Sequence, residues 1–190
     1  MASTTSKQLI GQFVAALAAK QSTPGGGAAA AVGAAVGAGA AAMSARYTQR
    51  KKDKESGAAK KADALISSMN LEELIDLADA DAAAYADLQR TWKEEMPPEE
   101  KAAIEARALA VPVSLVETCH KYILGVDSFL PSCNPNITSD AKVGIHQLAG
   151  AARAAYQTAL VNSPPADEKE RLRGLLKEIH TIEAKLLELD

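Results

Sequence analysis

Residues 22–44 read STPGGGAAAAVGAAVGAGAAAMS, and the fold turns on this stretch. Pro24 and three glycines, Gly25, Gly26 and Gly27, open it, and only Ala, Gly and Val follow until Met43. No charged residue lies between Lys20 and Arg46. Alanine is the strongest helix former, so the composition predicts a helix from Ala28 to Met43 despite Gly33, Gly37 and Gly39. A helix that is apolar all the way round has to be covered on every side. The other helices of the chain, or those of a second subunit, must therefore wrap around it. The Gly33-to-Gly37 spacing suits a close approach of two helix backbones. The glycines ahead of the helix leave backbone N–H groups bare at its N-terminus, a ready anion site. Pro24 suits a first helical turn.

The run is also long enough to cross a membrane, which takes about 20 apolar residues. Its composition argues against that. Ala and Gly are weakly hydrophobic, and no Leu, Ile or Phe occurs between Gly25 and Met43. Aromatic anchors and a basic flank of the usual kind are missing.

The rest of the composition narrows the class further. A chain of 190 residues is long enough for a real core, and one domain over residues 1–190 is the expectation. A net charge of −3 gives no reason to expect nucleic-acid binding. About a fifth of the residues are Ala, against one Trp, four Tyr and two Phe, which favours helices over strands. The opening MASTTSKQLIGQF lacks the charged start, long apolar run and cleavage site of a secretory signal. Two cysteines, Cys119 and Cys133, make no disulfide framework, and reduced thiols in a cytoplasmic protein fit best.

Outward from the central helix, the pattern is helical throughout. Thr5 or Ser6 can cap a first helix whose stripe is Leu9, Ile10, Phe13, Val14 and Leu17. After Met43 comes a basic cluster, Arg46, Arg50, Lys51, Lys52 and Lys54, at the end favoured by the helix dipole. Ser56 can cap a third helix reaching to about Met96, with Asn70 able to cap a restart. Its stripe is Leu65, Leu71, Leu74, Leu77, Tyr85 and Leu88. Pro97 and Pro98 end it, Glu99 and Glu100 begin a fourth, and Pro112 should kink that one. Residues 130–138 (LPSCNPNIT) read as a loop. Ser139 or Asp140 then caps a fifth helix to about Leu160, and a break at Asn162 to Asp167 leads to a last helix. That helix carries Leu172, Leu175, Leu176, Ile179, Ile182, Leu186 and Leu187. The expectation is an all-α bundle of about six helices around the central Ala/Gly-rich one. The five others are only just enough to cover it, which points to a homodimer.

Four blocks in order now resemble a known family. Thr23-Pro24-Gly25-Gly26-Gly27 with its Ala/Gly helix looks like the opening of the cyclodeaminase domain of formiminotransferase-cyclodeaminase. It is equally similar to the stand-alone methenyltetrahydrofolate cyclohydrolases. Asp79 to Tyr85 (DADAAAY) resembles the family's D-x-x-A-F block, Val111-Pro112 its V-P-L block, and Asn134 to Asp140 (NPNITSD) its G-N-x-x-x-x-S-D-A block. The resemblance runs from about residue 6 to 162. The chain differs in having Ala28 for a usual Ser or Gly, and Thr48-Gln49-Arg50-Lys51-Lys52-Asp53 for T-I-G-K-K-K. It also keeps Asn162 alone of an Asn-rich stretch, and has Cys133 for a Gly.

The resemblance implies an all-helical, dimer-forming domain acting on folate-bound one-carbon groups. The reaction would be a methenyltetrahydrofolate cyclohydrolase or formiminotetrahydrofolate cyclodeaminase step. The lack of an attached formiminotransferase domain leans towards the cyclohydrolase. The substrate would be a tetrahydrofolate derivative, with no cofactor, metal, nucleic acid or membrane involved. The reading from a different class is a catalytically silent helical dimer that binds a folate or a protein partner.

Either reaction needs protons moved at a tetrahedral carbon between two nitrogens, and one carboxyl of raised pKa can do both transfers. Asp81 shares one face of its helix with Leu74, Leu77, Tyr85 and Leu88, so desolvation should raise its pKa. A buried Asp that caps a neighbouring helix is the plainer alternative. Asp79 lies about 200° round the helix from it. Asp140 and Ser139 read equally as an N-cap pair or as site residues, with Asp140 the second candidate acid–base group. Pro24, Gly25, Gly26 and Gly27 could hold a carboxylate or a pterin oxygen through backbone N–H groups. Arg50, Lys51 and Lys52 could hold the polyanionic glutamate tail, with Asn134 and Ser139 from the fourth block as further binding residues. A solvated helix end explains the lysines as well. His120, His146 and His180 are scattered and make no ligand motif with Cys119 or Cys133.

Overall fold

The computed structural model describes residues 10–189. Among these residues the chain is all-α. It has eight α-helices: α1 (Ile10–Ala18), α2 (Gly26–Arg46), α3 (Lys51–Glu55), α4 (Ala58–Ser68), α5 (Leu71–Thr91), α6 (Pro98–Phe129), α7 (Thr138–Val161) and α8 (Ala166–Leu187). The proposed caps Thr5 and Ser6, and Leu9, lie outside the described residues.

The expected stretch from Ser56 to about Met96, with its restart at Asn70, is the pair α4 and α5, and the short α3 precedes it. Two local causes are visible. Gly57 takes a left-handed conformation, φ 80°, that ends α3 and starts α4, and Ser56 sits at the C-cap of α3 instead of heading a helix. Asn70 then restarts the chain as α5, its Oδ1 accepting the Glu73 N–H at 3.2 Å. Pro112 lies buried inside α6, which runs on through it. The expected loop at 130–138 is wound into two single 3-10 turns, Leu130–Ser132 and Pro135–Ile137. Helix α7 starts earlier than expected, at Thr138, so Ser139 and Asp140 stand in its first turn and neither is the N-cap. The central helix starts at Gly26 with Gly25 as its N-cap, which leaves Pro24 outside it, after a cis Thr23–Pro24 peptide.

Helix α2 is the centre of the bundle and packs most extensively on α7, then on α5. The close backbone approach uses Gly37 of the expected pair, with Gly144 of α7 opposite it and Gly33 taking no part. A Cβ on Gly37 would lie 2.8 Å from Gln147 Cβ and 2.9 Å from the Leu148 nitrogen. One on Gly144 would lie 2.9 Å from Ala41 Cβ and 2.9 Å from the Gly37 carbonyl oxygen. Gly33 meets nothing within 4 Å. These pairings run α2 and α7 antiparallel, so the last turn of α7 comes beside the first turn of α2. Larger apolar side chains fill the remainder: Leu74, Leu115, Ile123, Ile145, Leu148, Leu172 and Ile179 are all buried. Glu183 on α8 is buried as well, tied to α7 by Arg153 and, at 3.0 Å, by His146 Nδ1.

Among the described residues, cover over α2 is incomplete. Val36, Met43 and Tyr47 are exposed, with Ala29, Gly33 and Ala40 half-buried in the same stripe. Among the described residues α2 is the one helix long and apolar enough to cross a membrane, but more than half of it is buried inside the fold.

Candidate functional site

The first turn of α2 has no side-chain cap of its own, because its N-cap is Gly25. Asp81 supplies one from α5: its Oδ2 accepts the Ala28 N–H at 3.1 Å. That contact requires the glycine before Ala28. A Cβ on Gly27 would stand 2.0 Å from Asp81 Oδ1 and 2.4 Å from its Cγ. Gly27 is therefore what lets the carboxyl lie against the helix start. The Gly26 and Gly27 N–H groups belong to the first turn and have no intrahelical acceptor. They and Asp81 face the same space.

That space is a cavity of about 410 Å³. Ser22, Thr23, Gly25, Gly26 and Gly27 form one wall, and Asp81, Ala84, Tyr85 and Leu88 of α5 form another. Ala108 of α6 and the end of α7, Gln157, Thr158, Val161 and Asn162, close it. Its size falls in the usual range for small-molecule sites. Burial pushes the Asp81 carboxyl above its ordinary value of 3.8, and the Ala28 N–H opposes the shift without cancelling it. A proton on Asp81 is thus held more tightly than on a solvated aspartate, beside backbone donors and open volume. The expected helical phase and the plainer capping alternative both describe this residue: it is at once the cap of α2 and the acid in the cavity.

The end of α7 is what sequence reasoning missed. Gln157 and Thr158 carry no motif, and only the antiparallel pairing of α2 with α7 brings them to the Gly-rich turn. Asn162 is fixed there by its Nδ2, which donates to the Ala108 carbonyl of α6 at 2.9 Å.

The remaining candidate residues lie at the other end of α2. The helix has 21 residues, so its two ends are about 30 Å apart at about 1.5 Å per residue. Lys51 and Lys52 stand exposed on α3, Lys51 at 3.9 Å from Glu55. Arg50 is committed to Asp53 in a two-pronged pair at 2.7 and 2.8 Å. Asn134 is a buried clamp: its backbone N–H donates to Thr48 Oγ1 at 3.0 Å, its Nδ2 to the Tyr47 carbonyl at 3.0 Å, and its Oδ1 accepts the Asn136 N–H. Ser139 Oγ donates to Asp140 Oδ2 at 3.3 Å on the exposed first turn of α7. Within one chain, then, Asp81 and Gly25–Gly27 come together. Lys51, Lys52, Asn134, Ser139 and Asp140 form a separate group. Among the described residues no three His, Cys, Asp or Glu side chains gather as a metal site.

Comparison with known proteins fits this architecture. No curated protein matches. Among solved structures, the chain is similar to the formiminotetrahydrofolate cyclodeaminase of Thermotoga maritima. The TM-score is 0.83 and the identity 21%, over 96% of this chain and 97% of that one. The family model for formiminotransferase-cyclodeaminase matches residues 9–181. That match takes in α2, α5, α6 and α7, the four helices that line the Asp81 cavity, and the chain belongs to the formiminotransferase-cyclodeaminase family.

Proposed function

We propose that this protein is an enzyme of folate one-carbon chemistry in which Asp81 moves protons at a tetrahedral carbon. The observation that carries the reading is the Asp81 carboxyl. It is desolvated, set against the N-terminus of α2, and open to a cavity of ligand size. Support for the substrate class comes from the family and from the named activity of the Thermotoga maritima neighbour.

In the cyclodeaminase direction the ring-linked N10 adds to the protonated formimino carbon bound at N5. The tetrahedral adduct carries an N10 proton to lose and an amino group that must gain one to leave as ammonia. Asp81 takes the first proton and gives it to the amino nitrogen, leaving the methenyl cation. The charges balance without a metal or a redox group. In the hydrolytic direction water adds to the methenyl carbon and gives up both its protons in turn, one reaching N5 as the N5–carbon bond breaks and one passing to solvent, which leaves the formyl group on N10. A carboxyl with a raised pKa serves both, because its two protonation states are closer in energy near neutral pH than those of an ordinary Asp. First-turn N–H groups of Gly26 and Gly27 would hold a ring oxygen or carboxylate of the substrate.

A homodimer is part of the proposal. The exposed stripe of α2, from Ala29 through Val36 and Met43 to Tyr47, contains no charged residue and is where a second copy would complete the cover. An isologous contact running antiparallel along α2 would also carry the Lys51 and Asp140 end of one subunit towards Gly26 of the other. That is the route by which the distant group joins a site.

Turnover of formiminotetrahydrofolate and methenyltetrahydrofolate by the purified chain tests the reading. Ammonia release from the first, or formyltetrahydrofolate formation from the second, supports it. Saturable binding of both with no turnover would make the protein a silent folate-binding dimer instead.

A further inference from the structure

A second cavity, about 550 Å³, adjoins the Asp81 cavity and shares four lining residues with it: Tyr85, Leu88, Val161 and Asn162. Beyond these it is walled by Trp92, Glu105, Ala106, Leu109 and Ser163. The two spaces are thus neighbouring parts of one cleft between α5, α6 and the end of α7. Large apolar side chains are left uncovered here, which marks a binding surface. Trp92 is 64% exposed and Val161 82%. Tyr85 and Trp92 meet edge to face, their ring centres 6.1 Å apart at 80°. The walls are anchored: Thr91 Oγ1 donates to the Leu88 carbonyl at 2.8 Å, and the Ser163 N–H to the Leu160 carbonyl at 3.2 Å.

The chemistry of this outer part differs from that of the Asp81 cavity. Among the described residues its only charged lining residue is Glu105, so an anionic group would be repelled and a cation would find one such partner. The aromatic pair favours a flat ring. A neutral aryl amide meets these conditions. Such a group is the linker that joins the reacting ring system of a folate to its glutamate.

We propose that the cavity at Tyr85 and Trp92 binds the aryl-amide arm of the substrate while the reacting ring lies at Asp81. The inference rests on the folate reading above. It makes Trp92 a residue that sets substrate affinity without touching the reacting atoms. It also directs the arm away from Gly26, so the lysine end of α2 does not hold it.

The chain has one tryptophan, which makes the test direct. Titrating the intact protein with 4-(methylamino)benzamide, a neutral aryl amide without the reacting ring or the glutamate, should quench Trp92 fluorescence saturably. The quench should persist in Asp81→Asn. Trp92→Ala should raise KM for the folate substrate roughly tenfold, the worth of about 1.4 kcal/mol, with kcat within about twofold of wild type. Trp92→Phe should restore most of the affinity. An unchanged KM in Trp92→Ala, or a rise in KM in Lys51→Ala/Lys52→Ala in its place, overturns the proposal. If the protein turns over neither folate, the enzymatic reading has failed. The fragment titration still decides this one, since a linear, unsaturable quench would show that no aryl site exists.

Discussion

At the scale of single residues, the account turns on the pair Gly27 and Asp81. The helical phase of Asp81 with Leu74, Leu77, Tyr85 and Leu88 was legible in the sequence, because an apolar stripe interrupted by one carboxyl stands out. The requirement for glycine at position 27 was not, since nothing local distinguishes it from Gly26. It follows from a contact 54 residues away along the chain, where a Cβ would overlap the Asp81 carboxyl. Gly27→Ala should therefore displace Asp81 and lower kcat by roughly tenfold or more while Asp81 itself remains, because a misplaced acid–base group loses much of its worth. Gly26→Ala meets no atom within 4 Å and should fold as wild type. A Gly27→Ala enzyme with wild-type kcat would show that the close approach does not matter.

At the scale of elements, the charge-free run of residues 26–45 did identify the central helix, and the prolines at 97 and 98 did mark a boundary. The restart at Asn70, which caps α5, was legible as well, whereas the short α3 was not, because it is set off from α4 by backbone conformation: Gly57 adopts positive φ. Of the two contact glycines, Gly37 was legible and its partner was not. Gly37 meets Gly144 of α7, 107 residues on, whereas Gly33, in the same sequence pattern, faces open space. Gly37→Leu should then act on the fold itself and not only on assembly, forcing α2 from α7 at a cost of about 1–3 kcal/mol or more. Thermal melting checks this. A Gly33→Leu control, which does not intrude on α7, should cost much less, and equal melting temperatures for the two would contradict the packing described.

At the scale of the whole molecule, the all-α class and the family could be read from four short blocks. The division of the expected site into two groups about 30 Å apart could not, because sequence blocks carry no information on which end of α2 each one reaches. The uncovered stripe on α2 predicts association. Light scattering should give a mass of at least two chains at micromolar concentration, and Val36→Lys, a charge placed in the stripe, should shift it to one chain. A wild-type monomer would contradict that part of the account.

The central claim is that Asp81 moves the proton, and Asp81→Asn tests it most directly. Asn keeps the shape and can still accept the Ala28 N–H, so the cap on α2 survives while proton exchange is lost. Folding should not suffer. Burial raises the Asp81 pKa above 3.8, so the carboxyl favours the fold most at acid pH, and that contribution is lost as pH rises through the raised value. The variant should thus melt at or above the wild-type temperature at neutral pH, and the difference should shrink on acidification. The measurement is kcat of Asp81→Asn on formiminotetrahydrofolate and methenyltetrahydrofolate, with folate affinity measured separately. The account predicts a fall of roughly 10²-fold or more in kcat with binding largely kept. A kcat close to wild type, with the loss appearing in Asp140→Asn instead, would contradict it and leave Asp81 as the cap of a helix alone.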